Sequence, residues 1–489
     1  MTAPTRSSMG LLALGLAAVT IPTRGFAQEV APATTPAVEP IANVDEDEAT
    51  DDDADQREED RRLEDERQIS ALREDVKDLH GVIAERSPRV TISGYGDFGF
   101  FVPEGTGVGY IQDVGPAASR YFPQYYGRYA WVFLGDILAP AINTRGEPAD
   151  LGNPPGVNRE DLVDSNGKPG FIVNELNLRL DAALADNVIG LASVNFRPRT
   201  GTDFRFGDAF DVDIVSLQWL IGRQRKTSIF VGKIDGVLGI EYRERKSDQR
   251  FGITPSLIAR YTTGTPLGLK ARTFLGTDDW LILAGALTNG SSVIEPFFFY
   301  DETDSNAGKT AAGRVALTHA FRLGDDALRI ELGASGSYGA QDRALDSRHP
   351  MWFAGADLQV SWRWWKLQGE WLRGSAPGEI GPPVDLSHRV YGLRLNNGAY
   401  LELATMFTSV MGALVRGEMR DAYVWLGDPT LPGGADRLYI TKSWRLTLGV
   451  RAVINDHIVL KAEALHNGEY GGVPPIANDV FTTSLVMSY

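Results

Sequence analysis

An all-β fold, a large antiparallel β-barrel preceded by a short α-helical segment, is what this sequence predicts. Three observations predict it. Apolar and polar side chains alternate with a two-residue period from residue 90 to the C-terminus; the N-terminus reads as a secretory leader; and after that leader no apolar run is long enough to cross a membrane as a helix.

The leader comes first. Arg6 precedes an apolar stretch from Leu11 to Ile21, and Gly25-Phe26-Ala27 places small residues at the -3 and -1 positions, so 1–27 reads as a signal peptide cut after Ala27. The chain has no cysteine, which excludes a lipoprotein anchor, c-type haem attachment and disulfides. Segment 28–62 is rich in Pro and Ala and then acidic around Asp51-Asp52-Asp53; it buries too little apolar surface to order itself. Its carboxylates lack the glycine turn and spacing of a calcium loop, so a solvated spacer is the expectation.

In 63–87 the period is helical. Ile69, Leu72, Val76, Leu79 and Ile83 step by three and four residues, the a/d repeat of a coiled coil, and Pro88 ends it. Two good heptads are marginal alone. Several copies held in register would stabilise them; a single amphipathic helix lying on or in the barrel is the alternative. β-Branched residues at one core position and Leu at the other favour a dimer on pattern alone.

From residue 90 the barrel begins. Phe481, Thr483, Leu485, Met487 and Tyr489 share one face, opposite Thr482, Ser484, Val486 and Ser488. The same alternation sets Leu178 and Leu180 against Arg179, Val315 and Leu317 against Arg314, Leu328 and Ile330 against Arg329, Leu393 and Leu395 against Arg394, Leu446 and Leu448 against Arg445, and Leu460 against Lys461. Apolar faces suit lipid and polar faces a lumen.

Parity constrains the count. Short turns should lie on the periplasmic side and long loops outside, with both barrel ends in the periplasm. Sixteen strands from 90–101 to 479–489 satisfy this, 14 and 18 being the neighbouring counts. The set includes 386–396 and 399–410, joined by a turn at Asn396-Asn397-Gly398, followed by an outer loop at 411–436. Stretches 124–134 and 256–263 look like strands but are placed in outer loops to keep parity. The outer segments 102–170 and 235–266 are then unusually long. The second carries Glu241-Tyr242-Arg243-Glu244-Arg245-Lys246 with Phe251 and Tyr261, and fits either a segment folded into the lumen or a solvated cap.

Other chemistry is scarce. Six histidines show no metal-ligand spacing, and no phosphate loop or nucleophile elbow occurs, so neither enzyme activity nor a cofactor is expected. Residues 1–89 hold ten basic and twenty acidic side chains, leaving 38 and 44 for the rest; no basic stripe points to nucleic acid. Arg223-Gln224-Arg225-Lys226 reads as a solvated turn. Trp362, Trp364 and Trp365 read as interfacial anchors, with a sugar platform as the rival reading.

The first strand Val90-Thr91-Ile92-Ser93-Gly94-Tyr95-Gly96-Asp97-Phe98, the stretch Thr277 to Leu287 ending in Thr288-Asn289-Gly290, and the aromatic C-terminus Tyr489 together resemble the trimeric outer-membrane porins, in style the phosphate-selective porins O and P. The resemblance implies sixteen strands, a homotrimer with three channels, and in several relatives a periplasmic coiled coil. It carries no residue-by-residue match to a phosphate ladder.

The expected function is therefore diffusion of small hydrophilic solutes or ions across the outer membrane through 90–489. Lipid and lipopolysaccharide would surround the barrel, and the N-terminal segment would lie in the periplasm. A structural or adhesive barrel tethered to peptidoglycan or a periplasmic partner is the alternative. The pore-lining candidates by alternation and loop position are Arg179, Arg243, Arg245, Lys246, Arg260, Lys270, Arg272, Arg314, Arg329, Arg394, Arg445 and Lys461, against Glu175, Glu331, Glu402 and Glu463. The basic surplus in that set predicts a weak anion preference.

Overall fold

The computed structural model describes residues 90–103, 108–109, 129–131, 163–164, 169–196, 210–276, 278–289, 307–324, 326–340, 350–377, 391–427, 435–471 and 479–489. The expected signal peptide, leader and coiled coil, and most of 102–170, lie outside the described residues.

Sixteen strands form one closed antiparallel barrel. They are β1 (Val90–Pro103), β2 (Gly170–Ala185), β3 (Val188–Phe196), β4 (Phe210–Ile221), β5 (Thr227–Lys233), β6 (Leu267–Leu275), β7 (Leu281–Asn289) and β8 (Lys309–Leu323). β9 (Asp326–Ala340), β10 (Pro350–Trp362), β11 (Trp365–Ala376), β12 (Tyr391–Met406), β13 (Met411–Gly427), β14 (Ala435–Asn455), β15 (Ile458–Glu469) and β16 (Val480–Ser488) complete it. Each pairs with its sequence neighbours, and β16 closes on β1 in a register running from Tyr95 opposite Ser488 to Pro103 opposite Val480. Closure leaves no unpaired edge.

Connections alternate in length. Residues 186–187, 222–226, 276–280, 324–325, 363–364, 407–410 and 456–457 make short turns at one end; the longer connections leave from the other. Tight reversal needs left-handed backbone, supplied by Gly222 (φ 80°) and Gly324 (φ 65°) and adopted by Arg225, Asp279 and Arg363. Lys226 ties two such turns together, 2.7 Å from Asp279.

The alternation works as anticipated on most strands. Outward Leu217, Val315, Leu332, Leu448 and Phe481 are exposed, while inward Arg314, Glu331, Thr447, Lys461 and Thr482 are buried. Trp219, Trp280, Trp362, Trp364 and Tyr489 ring the outer wall near the short turns; Phe171, Tyr338, Trp352 and Trp371 stand outward nearer the other end.

One region departs from expectation. Residues 386–396 and 399–410 are not two strands: 391–406 is the single strand β12, and the expected turn at Asn396-Asn397-Gly398 is a β-bulge, where the register slips between Leu395 and Asn397 against β13 and between Leu395 and Gly398 against β11. The expected outer loop 411–436 contains β13 instead. Its outward face mixes small Ala413 and Gly417 with Met411, Val415 and Met419, and its inward face is Arg416-x-Glu418-x-Arg420, a charge density that reads as a loop when no partner is in view. Losing one strand and gaining another leaves the total at sixteen.

The bulge has a further consequence. It shifts the phase of β12, so Leu393 and Leu395 point inward and are fully buried, and Arg394 is exposed on the outer wall. Arg394 is thus not pore-lining. Neither of the two stretches kept out of the wall is one of its sixteen strands. Tyr129–Trp131 adds in parallel to residues 437–439 of β14, and 256–263 contributes helix α1 (Ala259–Thr262) inside the barrel.

Candidate functional site

Between β5 and β6, segment 234–266 turns into the lumen, which decides between the two readings of this stretch. Its limbs continue the β5–β6 ladder, with Ile234 N–H donating to Pro266 at 2.9 Å and Gly236 N–H to Gly264 at 3.1 Å. Beyond them it forms a 3-10 turn, Glu241–Glu244, and α1. Almost every residue from 237 to 265 is buried, because wall strands surround the segment on several sides.

Wall carboxylates hold its backbone. Glu370 on β11 accepts from Ile240 N–H at 2.6 Å and from Glu241 N–H, occupying the free donors at the start of the 3-10 turn. This seat requires glycine at 239, where φ is +67° and a Cβ would lie 2.0 Å from Glu370 Oε2. Glu463 on β15 accepts from Ile253 N–H at 2.6 Å, Thr254 N–H at 3.0 Å and Thr254 Oγ1 at 2.7 Å. Beside it Lys461 donates to the carbonyls of Ser247, Arg250 and Gly252 at 2.6, 2.6 and 2.9 Å. Glu418 on β13 accepts from Leu257 N–H at 2.6 Å and from Arg416 and Arg445; Arg445 also reaches Pro255 O at 2.6 Å.

Ion pairs complete the attachment. Arg245 donates to Asp213 on β4 through both terminal nitrogens and to Asp235 through Nε at 3.0 Å. Lys246 lies 2.5 Å from Asp213 and 3.6 Å from Glu175. Arg243 meets Glu331 at 2.8 Å; Glu331 is shared with Arg314, which also grips Asp357. Lys366 pairs with Glu244, and Ser247 donates to Asp97. Charges removed from water this completely persist only when paired and hydrogen-bonded, and breaking one such pair costs about 3–5 kcal/mol.

The segment's seat against β10–β13 is different in kind. Ile258 and Tyr261 of the segment pack, with Leu238, against Phe353, Leu372, Leu393 and Leu395. The inward segment therefore has an apolar anchor there beside the charged contacts of Glu370 and Lys366 on β11, and further charged contacts on β1–β4, β8–β9 and β13–β15.

A cavity of about 100 Å³ remains beside β1–β4, lined among others by Tyr95, Asn177, Arg179, Asp213, Lys246 and Asp248. Arg179 is held by Asp181 at 2.7 Å. Asp248 is solvent-exposed within this space while enclosed by protein, and burial pushes its carboxyl above the ordinary value. Burial likewise raises Glu241, against two hydrogen bonds from Ser256. For Arg245 burial opposes the charge, but Asp213 and Asp235 outweigh it and hold the guanidinium above its usual range.

Of the anticipated residues, the structure brings Arg179, Arg243, Arg245, Lys246, Arg314, Arg445 and Lys461 together around the inward segment. Lys270 and Arg272 face inward from β6 against aromatic rings, Lys270 Nζ lying 4.6 Å from the centre of Phe230. Arg329 is half-buried on β9. Arg260 sits in α1, and its side chain lies outside the described set. Glu175, Glu331, Glu402 and Glu463 are all buried and inward. Missed were Arg416, Glu418 and Arg420, which belong to the unrecognised β13, and the inward acids Asp357 and Glu370, which alternation along β10 and β11 could have found. Among the described residues no group of side chains has metal-site geometry.

The chain matches no family model and no curated protein. Among solved structures it is similar to Salmonella typhi OmpF in complex with daunomycin (8% identity, 82% of this chain and 97% of that chain covered, TM-score 0.48). It is also similar to the outer-membrane channel DcaP of Acinetobacter baumannii (10%, 82% and 97%, TM-score 0.44) and to Pseudomonas putida OprB (9%, 85% and 97%, TM-score 0.45).

Proposed function

We propose that this chain is an outer-membrane channel that passes small hydrophilic solutes or ions through a lumen narrowed by segment 234–266. One observation carries this reading: a closed sixteen-strand wall with an apolar, aromatic-ringed outside and a charged inside. Only a hydrocarbon surrounding makes that arrangement favourable, since a soluble barrel would turn the same faces the other way. The short turns then face the periplasm and the long connections the exterior.

Selectivity in this reading is a weak anion preference. The inward basic side chains support it, and their pairing with Asp213, Glu331, Asp357 and Glu418 keeps it weak, because a neutralised pair contributes little net field. Trimer assembly and a periplasmic N-terminal segment follow from the porin-like features of the sequence. Single-channel recording in planar bilayers tests the proposal: discrete open steps are expected, with reversal potentials in a salt gradient slightly on the anion side. Absence of conducting steps from inserted protein overturns it.

The extensive attachment of segment 234–266 favours a second reading, a barrel closed at rest that serves as a structural or adhesive element. Removing residues 237–263 separates the two. A channel already conducting gains current, whereas a sealed barrel begins to conduct only then.

A further inference from the structure

The bulge at Asn396–Asn397 leaves an unexplained outward arginine, and it does not stand alone. On β11, Ser375 is the cross-strand partner of Arg394, and Arg373, two residues away on the same face, is also exposed. Diagonal neighbours of this kind have Cβ atoms within about 7–8 Å, well inside the reach of two guanidinium groups. Among the described residues neither arginine has a hydrogen-bonding or acidic partner. Asn397 shares this face and is exposed; its Oδ1 accepts from Trp371 Nε1 at 3.3 Å, which leaves its amide NH2 as an outward donor. Asp421, the acid on the adjoining strand, is engaged by Asn396 at 3.2 Å.

The position of the cluster is as informative as its composition. Below it the outer wall is apolar, with Leu401 and Trp371 exposed on β12 and β11 and Met419 on β13; above it come the long connections. Arginines here stand at the boundary that an interfacial indole prefers, where lipid headgroups lie. A pair of guanidinium groups at that depth, with no ion-pair partner among the described residues, matches a phosphate, which each can grip through two parallel N–H bonds.

We propose that Arg373, Arg394 and Asn397 form a recognition patch on the outer wall for the phosphate of an anionic glycolipid in the leaflet at the long-loop end. The bulge is then the device that builds it: an extra residue in β12 rotates Arg394 out of the lumen to join Arg373. This inference rests on the membrane-channel reading above.

Native mass spectrometry of the full chain in mild detergent tests it, with lipid A bearing two phosphates as probe, its dephosphorylated form, and inorganic phosphate as competitor. Wild type is expected to retain the phosphorylated lipid. Arg373→Gln and Arg394→Gln should each lower retention about fivefold and together about thirtyfold, while the paired Arg→Lys variant keeps most of it. Dephosphorylated lipid should bind wild type and the glutamine pair alike, and inorganic phosphate should not displace the lipid.

Equal retention of phosphorylated lipid by the glutamine pair overturns the patch, as does displacement by inorganic phosphate. Bilayer conductance on the same preparations separates the failures. Protein that inserts and conducts normally but shows no dependence on the arginines sinks the patch alone; protein that never inserts sinks both readings.

Discussion

The Arg245 guanidinium and the Asp213 carboxylate form a fully buried, two-pronged ion pair that joins the inward segment to strand β4. Asp213 also holds Lys246 at 2.5 Å, so one carboxylate is shared by two cations of the same loop. Asp213→Asn should leave both cations under-compensated and lower stability by about 3–5 kcal/mol. Thermal unfolding of detergent-solubilised protein measures the loss, and single-channel traces should become noisier as the segment detaches. The double variant Asp213→Asn with Arg245→Gln should lose less than the sum of the two single losses, because the Arg245–Asp213 pair goes as a unit while Lys246 and Asp235 each still lose a partner. Additive losses in that cycle would mean the two residues do not act as a pair.

Gly239 is expected to be intolerant of any side chain. Gly239→Ala combines left-handed backbone with a 2.0 Å collision against Glu370, whereas Gly324→Ala, at a similar φ of +65°, meets nothing within 4 Å. The turn variant should lose about 1–2 kcal/mol and keep wild-type conductance. The Gly239 variant should lose more and conduct differently, because Glu370 can no longer cap the 3-10 turn. Matching conductance in both would show that this seat does not control the lumen.

Selectivity should depend on pH through Asp248. Its carboxyl is raised by burial, so the neutral form is favoured in the folded protein. As pH falls through the raised value, the cavity loses a negative charge and the folded state gains relative stability. Anion preference, read from reversal potentials, should therefore increase as the pH falls from neutrality through the raised range of this carboxyl. Asp248→Asn should show the low-pH selectivity throughout and flatten the profile; an unchanged profile would assign the titration elsewhere.

Deleting Asn396 should remove the bulge and reverse the phase of the end of β12. Arg394 would turn inward and Leu393 and Leu395 outward, stripping Ile258 and Tyr261 of their apolar seat at a cost of about 2–5 kcal/mol. The chain has no cysteine, so Arg394→Cys gives a single labelling site. Membrane-impermeant reagents that enter the lumen should label it faster in the deletion background than with Asn396 present. The same rate in both would refute the phase argument.

How much of this was legible beforehand follows from the range of the interactions involved. Period-two alternation, a property of a few neighbouring residues, was enough to indicate a barrel and the inward faces of strands such as β8, β14 and β15; the count of sixteen came from parity, and it holds because one strand split in two offsets one strand read as a loop. Turn chemistry marked most of the short connections for the same reason. At Asn396-Asn397-Gly398 identical local signals serve a turn or a bulge, and only pairing with β11 and β13 selects the bulge. Arg416, Glu418 and Arg420 resembled a loop because their partners, Thr254, Pro255 and Leu257, lie more than 160 residues away along the chain. Segment 234–266 showed mixed charge from its composition alone. That this charge is buried rather than solvated was decided by Asp213, Glu331, Glu370 and Glu463, four carboxylates on four strands that meet the segment only after the barrel has closed.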